Sequence, residues 1–394
     1  MPNEKRKIDV LIIGAGPVGL ALAIALSKST PLNIGLVEAN EKKPYKAGQG
    51  KALALSYGSI QLLEKLSVWE RLQPLSTEIN EVHVSEKGRF GITKLTAKEI
   101  DLPALGYMVS QSDLSHALEE EAGSSRIQIL QPAKLSGIKH LEQGVEAQLE
   151  TALGQQAIEC QLLVAADGVD SAVRSLLKIP VVEKPSEMSA LVTRVHLKKA
   201  HAKTSYQRFT PRGIIAMLPL GNSRYANIIS GTHSQVHAWN KLSEEHYIDQ
   251  LQDDFGYRLG KIVGVDKRMV FPLRQLHSTA LYQKKVILLG HAAHVMHPVA
   301  AQGLNLSFRD IEDLERLIEE ALEQRKPFAT NELLSEYASM RSRDQKATMK
   351  FTHILETIFS SQSPSLGKVR KAGLLGIEFI PGLKKFLSKR GAGV

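Results

Sequence analysis

The hydrophobic pattern changes character along the chain. Near the start, Ile8–Ile13 is a short, continuous, β-branched run, the pattern of a strand covered on both faces. Leu20–Ser27 follows as an Ala/Leu-rich stretch that predicts a helix, and Ile34–Val37 as a second short strand ending at Glu38. Similar runs recur at Leu162–Ala165 and Val286–Leu289. The last leads through a His/Pro/Gly loop into a predicted helix with apolar positions Ile311, Leu314, Ile318 and Leu322. Between Leu177 and about Arg274 the runs become short and β-rich, as at Ile214–Leu220 and Tyr225–Ser230, parted by Gly-Asn and Pro-Arg-Gly turns. Glu78–Gly91 adds a strand or two of the same kind. An α/β chain with an interleaved antiparallel sheet is expected.

Gly14-Ala15-Gly16-Pro17-Val18-Gly19 lies between the first strand and the first helix. In such a strand, G-x-G-x-x-G, helix unit the glycines allow a tight turn, close approach of a pyrophosphate, and close helix–strand packing. The helix N-terminus offers unpaired N–H groups and the positive end of its dipole to phosphate. Glu38 lies 19 residues beyond Gly19, where a carboxylate can accept hydrogen bonds from ribose hydroxyls. An acid there disfavours a 2′-phosphate, so FAD or NAD fits and NADP does not. No second glycine triplet occurs, which excludes a pyridine-nucleotide–disulfide reductase.

Composition narrows the class. The 394 residues are 43% hydrophobic and 23% charged, as in soluble globular proteins, and suggest one large or two interleaved domains. A single cysteine, Cys160, excludes an intrachain disulfide and Cys-rich metal sites, and a reducing, cytoplasmic setting is expected. The net charge of +9 is mostly a tail property: Gly367–Val394 holds seven Lys/Arg against one acid. No recognition motif for nucleic acid accompanies it, and none is expected to bind. Lys5-Arg6-Lys7 before an apolar stretch imitates a secretory signal, but Gly14, Gly16, Pro17 and Gly19 interrupt it.

Two further stretches bear on the cofactor. Leu162–Arg174 ends a strand in Asp167-Gly168, followed by Ser171 and Arg174; Val286–Asp310 carries H-P-x-x-x-Q-G-x-N. With the N-terminal glycines, Ala52–Ser56, Trp69 and Tyr337…Arg341…Arg343-Asp344, these resemble the FAD-dependent aromatic hydroxylases of the para-hydroxybenzoate hydroxylase type. Within them, the ubiquinone-biosynthesis branch is the most similar, over nearly the whole chain. The resemblance implies a discontinuous Rossmann-like FAD-binding domain (1–75, 105–178, 276–345), a substrate domain (76–104, 179–275), and a C-terminal helical basic segment (346–394). It implies hydroxylation of a polyprenylated phenol with NAD(P)H and O2 through a flavin C4a-hydroperoxide. Other ubiquinone-biosynthesis proteins would be partners. A small soluble aromatic substrate, or a non-catalytic FAD-binding subunit, is the alternative.

Carried over to this sequence, the resemblance assigns Gly14, Gly16, Gly19 and Glu38 to the ADP half of FAD. Lys51 stands where an arginine is usual near the phosphates, and Gln111 at a polar position beside the flavin. Asp167 and Gly168 serve FAD and the nicotinamide donor. Gly290 and His291 stand at the ribityl chain, His291 replacing an aspartate. Pro298 covers the oxygen-reactive face, and Gly303, Leu304 and Asn305 meet the ring; Pro298, Gly303 and Leu304 are the catalytic positions. Independently of that likeness, a glycine at the start of a helix near Leu304 would aim N–H groups at anionic charge. Ala301 and Ser307 also replace glycines, adding bulk expected near the isoalloxazine.

Several residues have plainer readings. His291, His294 and His297 suggest metal by spacing, but Pro298 follows and no carboxylate intervenes, so no metal is expected. Asp310 reads as first-turn dipole compensation. The tail has two readings: a capping helix with a solvated basic face, or a segment docking peripherally at the inner face of an anionic membrane.

Overall fold

The structure, a computed structural model, describes residues 7–42, 44–88, 92–184, 186–199, 203–296, 302–360 and 381–394. Its first sheet has six strands in the order Tyr282–Gln283, Val286–Leu288, Leu162–Ala165, Val10–Ile13, Ile34–Val37, Ile127–Leu130. All neighbours are parallel except the short Tyr282–Gln283 edge. Their continuous apolar runs have a simple cause. Val10 and Ile12 face a core shared with the helices Pro17–Ser29, Gln111–Ser124 and Gln302–Glu323, through residues such as Leu22, Leu114 and Phe308. Leu11 and Ile13 face the opposite core, built on a three-stranded meander between Ala133 and Cys160. Both faces are covered, so neither can be polar. The stretch that imitates a signal sequence is thus the central strand and helix of the fold.

A second sheet stands against the Gly48–Lys51 segment. Its order is Ile262–Val265, Met188–Leu197, Arg224–Thr232, Gly213–Pro219, Thr204–Thr210, Glu81–Glu86, Ile92–Thr96, with Met269–Pro272 also paired to Met188–Leu197. It is antiparallel except where Thr204–Thr210 runs parallel to Glu81–Glu86. These two strands come from distant parts of the chain, and no hairpin forces them to oppose. One face packs Leu191, Val195, Ile215, Met217 and Ile229 on the helices His233–Lys241 and Glu244–Phe255, anchored by Trp239, Tyr247 and Phe255. The alternate residues turn the other way. From that side Arg194 Nη2 donates to the carbonyls of Gly48 (3.0 Å) and Gly50 (3.3 Å), and the Lys51 ammonium lies 5.0 Å over the Phe271 ring.

Asn331–Ser360 is one unbroken helix of 30 residues and runs through the boundary expected at 345. A last helix, Pro381–Ala392, rests on residues 92–100. Most of the tail's apolar residues, Leu374–Ile380, lie outside the described residues. No described helix is long and apolar enough to cross a membrane. Cys160 is a buried strand residue whose thiol is pushed up to about 12 by burial, so it is inert.

Candidate flavin site

The three glycines of the first loop do different things. Gly14 has φ +104°, and a Cβ there would fall 2.5 Å from the Ala166 carbonyl oxygen; a Cβ on Gly19 would fall 1.9 Å from the Gly14 oxygen. These two are demanded by the protein's own backbone packing. Gly16 is different: nothing lies within 4 Å of its would-be Cβ. It is the N-cap of the Pro17–Ser29 helix and provides no side-chain cap. Open space in front of a helix N-terminus is what an incoming pyrophosphate requires. Glu38 stands beside this opening. One carboxylate oxygen accepts the Ala15 N–H (2.9 Å), and the other accepts the Asn40 backbone N–H (2.9 Å) and side-chain amide (2.8 Å).

Asp167 follows the neighbouring strand. Its Oδ2 accepts the Val173 N–H at 3.1 Å, while Oδ1 is buried with no hydrogen-bond partner among the described residues. Gly168 takes φ +86° and faces open space. An unmatched carboxylate oxygen and an open glycine beside the glycine loop suit a hydroxyl-rich cofactor. Ser171 caps the short Ala172–Leu176 helix. Buried Arg174 donates to the carbonyls of Val169 (2.7 Å) and Ala292 (2.9 Å), tying this loop to the Gly290–Ala292 turn. The sequence marked Arg174 but did not reveal this brace, because Ala292 lies 118 residues away.

In the third loop, Gly290 takes φ +60°, with Val18 and Ser307 close by. His291 is exposed, and its Nε2 would lie 3.4 Å from a Cβ on Gly303. Crowding by protein atoms, then repulsion from His294 and Lys51, pushes its pKa below the ordinary imidazole value. The ring is therefore neutral at pH 7. His297, Pro298 and Ala301 lie outside the described residues. The helix Gln302–Glu323 begins directly after them and carries Gly303 and Leu304 in its first turn.

Three expectations change here. The Ser307 hydroxyl does not crowd the recess: it is fully buried and donates back to the Gly303 carbonyl at 2.9 Å. The Asn305 side chain is committed to the protein. Its Oδ1 accepts the Ser56 N–H (2.9 Å) and Ser59 hydroxyl (2.8 Å), and Nδ2 donates to the Ala54 carbonyl (3.0 Å). Asp310 is no first-turn dipole partner. It lies in the third turn, fully buried, bonded to His294 Nε2 (2.8 Å) and Arg341 Nε (2.5 Å). Desolvation opposes its charge, but His294 and Arg341 outweigh that and hold its pKa below the ordinary carboxylate value. Arg341 also reaches Asp313 and Asp344, each at 2.8 Å. His294 is thereby held by Asp310 through Nε2, with Nδ1 buried and without a partner among the described residues.

Lys51 and Gln111 lie at the edge of this recess. Lys51 is exposed over Phe271, on the sheet side. Gln111 is exposed at the start of its helix, its N–H donating to the Lys51 carbonyl at 2.9 Å and its side chain beside Gly50.

A family model described as FAD binding domain matches residues 7–352. The chain belongs to that family. FAD is its cofactor, and NAD(P)H is the electron donor typical of the family. The flavoenzyme is a monooxygenase of the aromatic hydroxylase class. It is 30% identical to an uncharacterized protein, slr1300, of Synechocystis sp., over 96% of this chain and 91% of that one. It is 28% identical to ubiquinone hydroxylase UbiL of Rhodospirillum rubrum, over 98% and 89% of the two chains. It is 26% identical to 3-demethoxyubiquinol 3-hydroxylase of Escherichia coli, over 98% of each. Among solved structures, PqsL of Pseudomonas aeruginosa, described as a probable FAD-dependent monooxygenase, shares the fold. Its TM-score is 0.79 at 21% identity, over 94% of this chain and 100% of that one.

Proposed function

We propose that this flavoenzyme hydroxylates the ring of a polyprenylated phenol in ubiquinone biosynthesis, using NAD(P)H and O2. The observation that carries the reading is the apolar sheet face on the side of Gly48–Lys51. Its register brings together Val192, Ile228 and Ala216, with Leu218 and Phe271 beside them, all half-buried. Such a wall suits an isoprenoid-bearing ring, at about 0.8 kcal/mol per buried CH2. A cation on this face, Arg194, is already bonded to Gly48 and Gly50. Near-full-length similarity to the Rhodospirillum rubrum and Escherichia coli hydroxylases supports the same substrate class.

When bound and reduced, FAD supplies the activated oxygen; the chain supplies position, charge and exclusion of water. Gly14, Gly16 and Gly19 with the Pro17–Ser29 helix end would hold the pyrophosphate, and Glu38 the ribose. Asp167 Oδ1, Gly168 and the Gly290-His291 turn would hold the middle of the cofactor. The first turn of the Gln302–Glu323 helix, at Gly303 and Leu304, would present N–H groups and the dipole's positive end to negative charge on the ring. The FAD-loaded enzyme should consume NAD(P)H in a 1:1 ratio with a hydroxylated prenylphenol carrying one atom of labelled O2. A faster, coupled reaction on an unprenylated phenol would overturn the substrate assignment.

A further inference from the structure

We infer that the turn after the Pro381–Ala392 helix braces the flavin loop, and that Gly58, on which it sits, is a positioning residue for hydroxylation. This role is independent of which ring the enzyme oxidises. The helix is closed by hydrogen bonds from Gly393 N–H to Arg390 and from Val394 N–H to Lys389. Gly393, at φ +76°, brings its carbonyl oxygen to where a Cβ on Gly58 would meet it at 2.4 Å; that oxygen is backbone, so relief requires one of the two segments to shift. From the other side, a Cβ on Gly393 would lie 2.9 Å from Ser56 Oγ. Ala392, 1% exposed, fixes the seat by packing with Ala97, Ile100 and Leu105.

Gly58 is in the first turn of the Tyr57–Lys65 helix, where alanine would favour the helix and glycine does not. Close approach of the Gly393 carbonyl accounts for the glycine. The same turn grips the flavin loop. The Ser56 N–H and Ser59 hydroxyl hold Asn305 Oδ1, and Asn305 Nδ2 holds the Ala54 carbonyl. Asn305 lies two residues beyond Gly303, so displacement of Ser56–Ser59 is passed by two hydrogen bonds to the first turn of the Gln302–Glu323 helix, and a third ties that turn to Ala54.

The test is Gly58→Ala in the full chain, with Gly123→Ala as control, because nothing lies within 4 Å of a Cβ on that helical glycine. Three quantities would be read: hydrogen exchange of residues 385–394, FAD affinity from titration of the apoprotein, and the fraction of NAD(P)H electrons released as H2O2. Gly58→Ala should accelerate exchange, weaken FAD several-fold and raise the H2O2 fraction, while Gly123→Ala changes none of the three. Ala392→Asp, which unseats the helix without touching Gly58, should repeat the pattern and serves if Gly58→Ala does not fold. Accelerated exchange with wild-type FAD affinity and coupling would reduce the helix to a cap. Unchanged exchange in both variants would remove the brace altogether.

Discussion

Asp310→Asn isolates the buried ion network behind the flavin loop. The substitution keeps shape and one acceptor for Arg341 Nε, but removes the charge and places an amide NH2 or a second acceptor before His294. If the amide NH2 faces His294, Nε2 must accept, and the imidazole proton moves to Nδ1. That nitrogen is buried without a partner among the described residues, so an unsatisfied donor is created. Such a donor costs about 1–3 kcal/mol, and loss of charge assistance to Arg341 about 1 kcal/mol more. Arg341 retains Asp313 and Asp344, which keeps the total below the ~3–5 kcal/mol of a fully broken buried pair. The expected destabilisation is about 2–4 kcal/mol. Urea unfolding at fixed, saturating FAD, followed by tryptophan fluorescence and by flavin release, measures it. Asp313→Asn is the internal control: its side chain is 24% exposed and its loss should cost under about 1 kcal/mol. Equal effects of the two variants would refute the reasoning.

The other predictions separate cofactor contacts, titration and the tail. Gly16→Ala should fold with wild-type stability yet bind FAD at least about tenfold more weakly, equivalent to ~1.4 kcal/mol. Gly19→Ala, whose Cβ meets backbone at 1.9 Å, should instead lower stability itself; apoprotein melting with FAD titration distinguishes them. Because the folded-state pKa of His291 is lowered, the unfolded chain binds the extra proton first as pH falls below the ordinary imidazole value near ~6.5. Stability should therefore fall from there down to its folded pKa, and His291→Asn should flatten that limb; parallel limbs would contradict the lowered pKa. Lys385 and Lys389 are exposed on the last helix. Replacing Lys384, Lys385, Lys389 and Arg390 by Gln should reduce salt-sensitive binding to anionic vesicles without loss of FAD. Equal binding to neutral vesicles would assign that helix to bracing alone.

The sequence alone determined the elements whose cause is local. Ile8–Ile13, the glycine loop and the Leu20–Ser27 stretch appear in the structure as strand, turn and helix because spacing and glycine permissiveness act over a few residues. The short β-rich runs between Leu177 and Arg274 became strands of the second sheet for the same reason. Tertiary structure decided the partners that supersede local readings. Asp310 looked like a dipole partner until folding set Arg341, 31 residues away, against it. Asn305 looked available to a ring until a strand and helix 249 residues earlier in the chain claimed its amide. Ser307 looked like added bulk until its hydroxyl turned onto its own helix. Even the one parallel pair of the second sheet follows from where two remote segments meet. A side chain's identity limits which bonds it can make, but only the returning chain decides which partner arrives within 3 Å, and burial then makes that choice costly to undo.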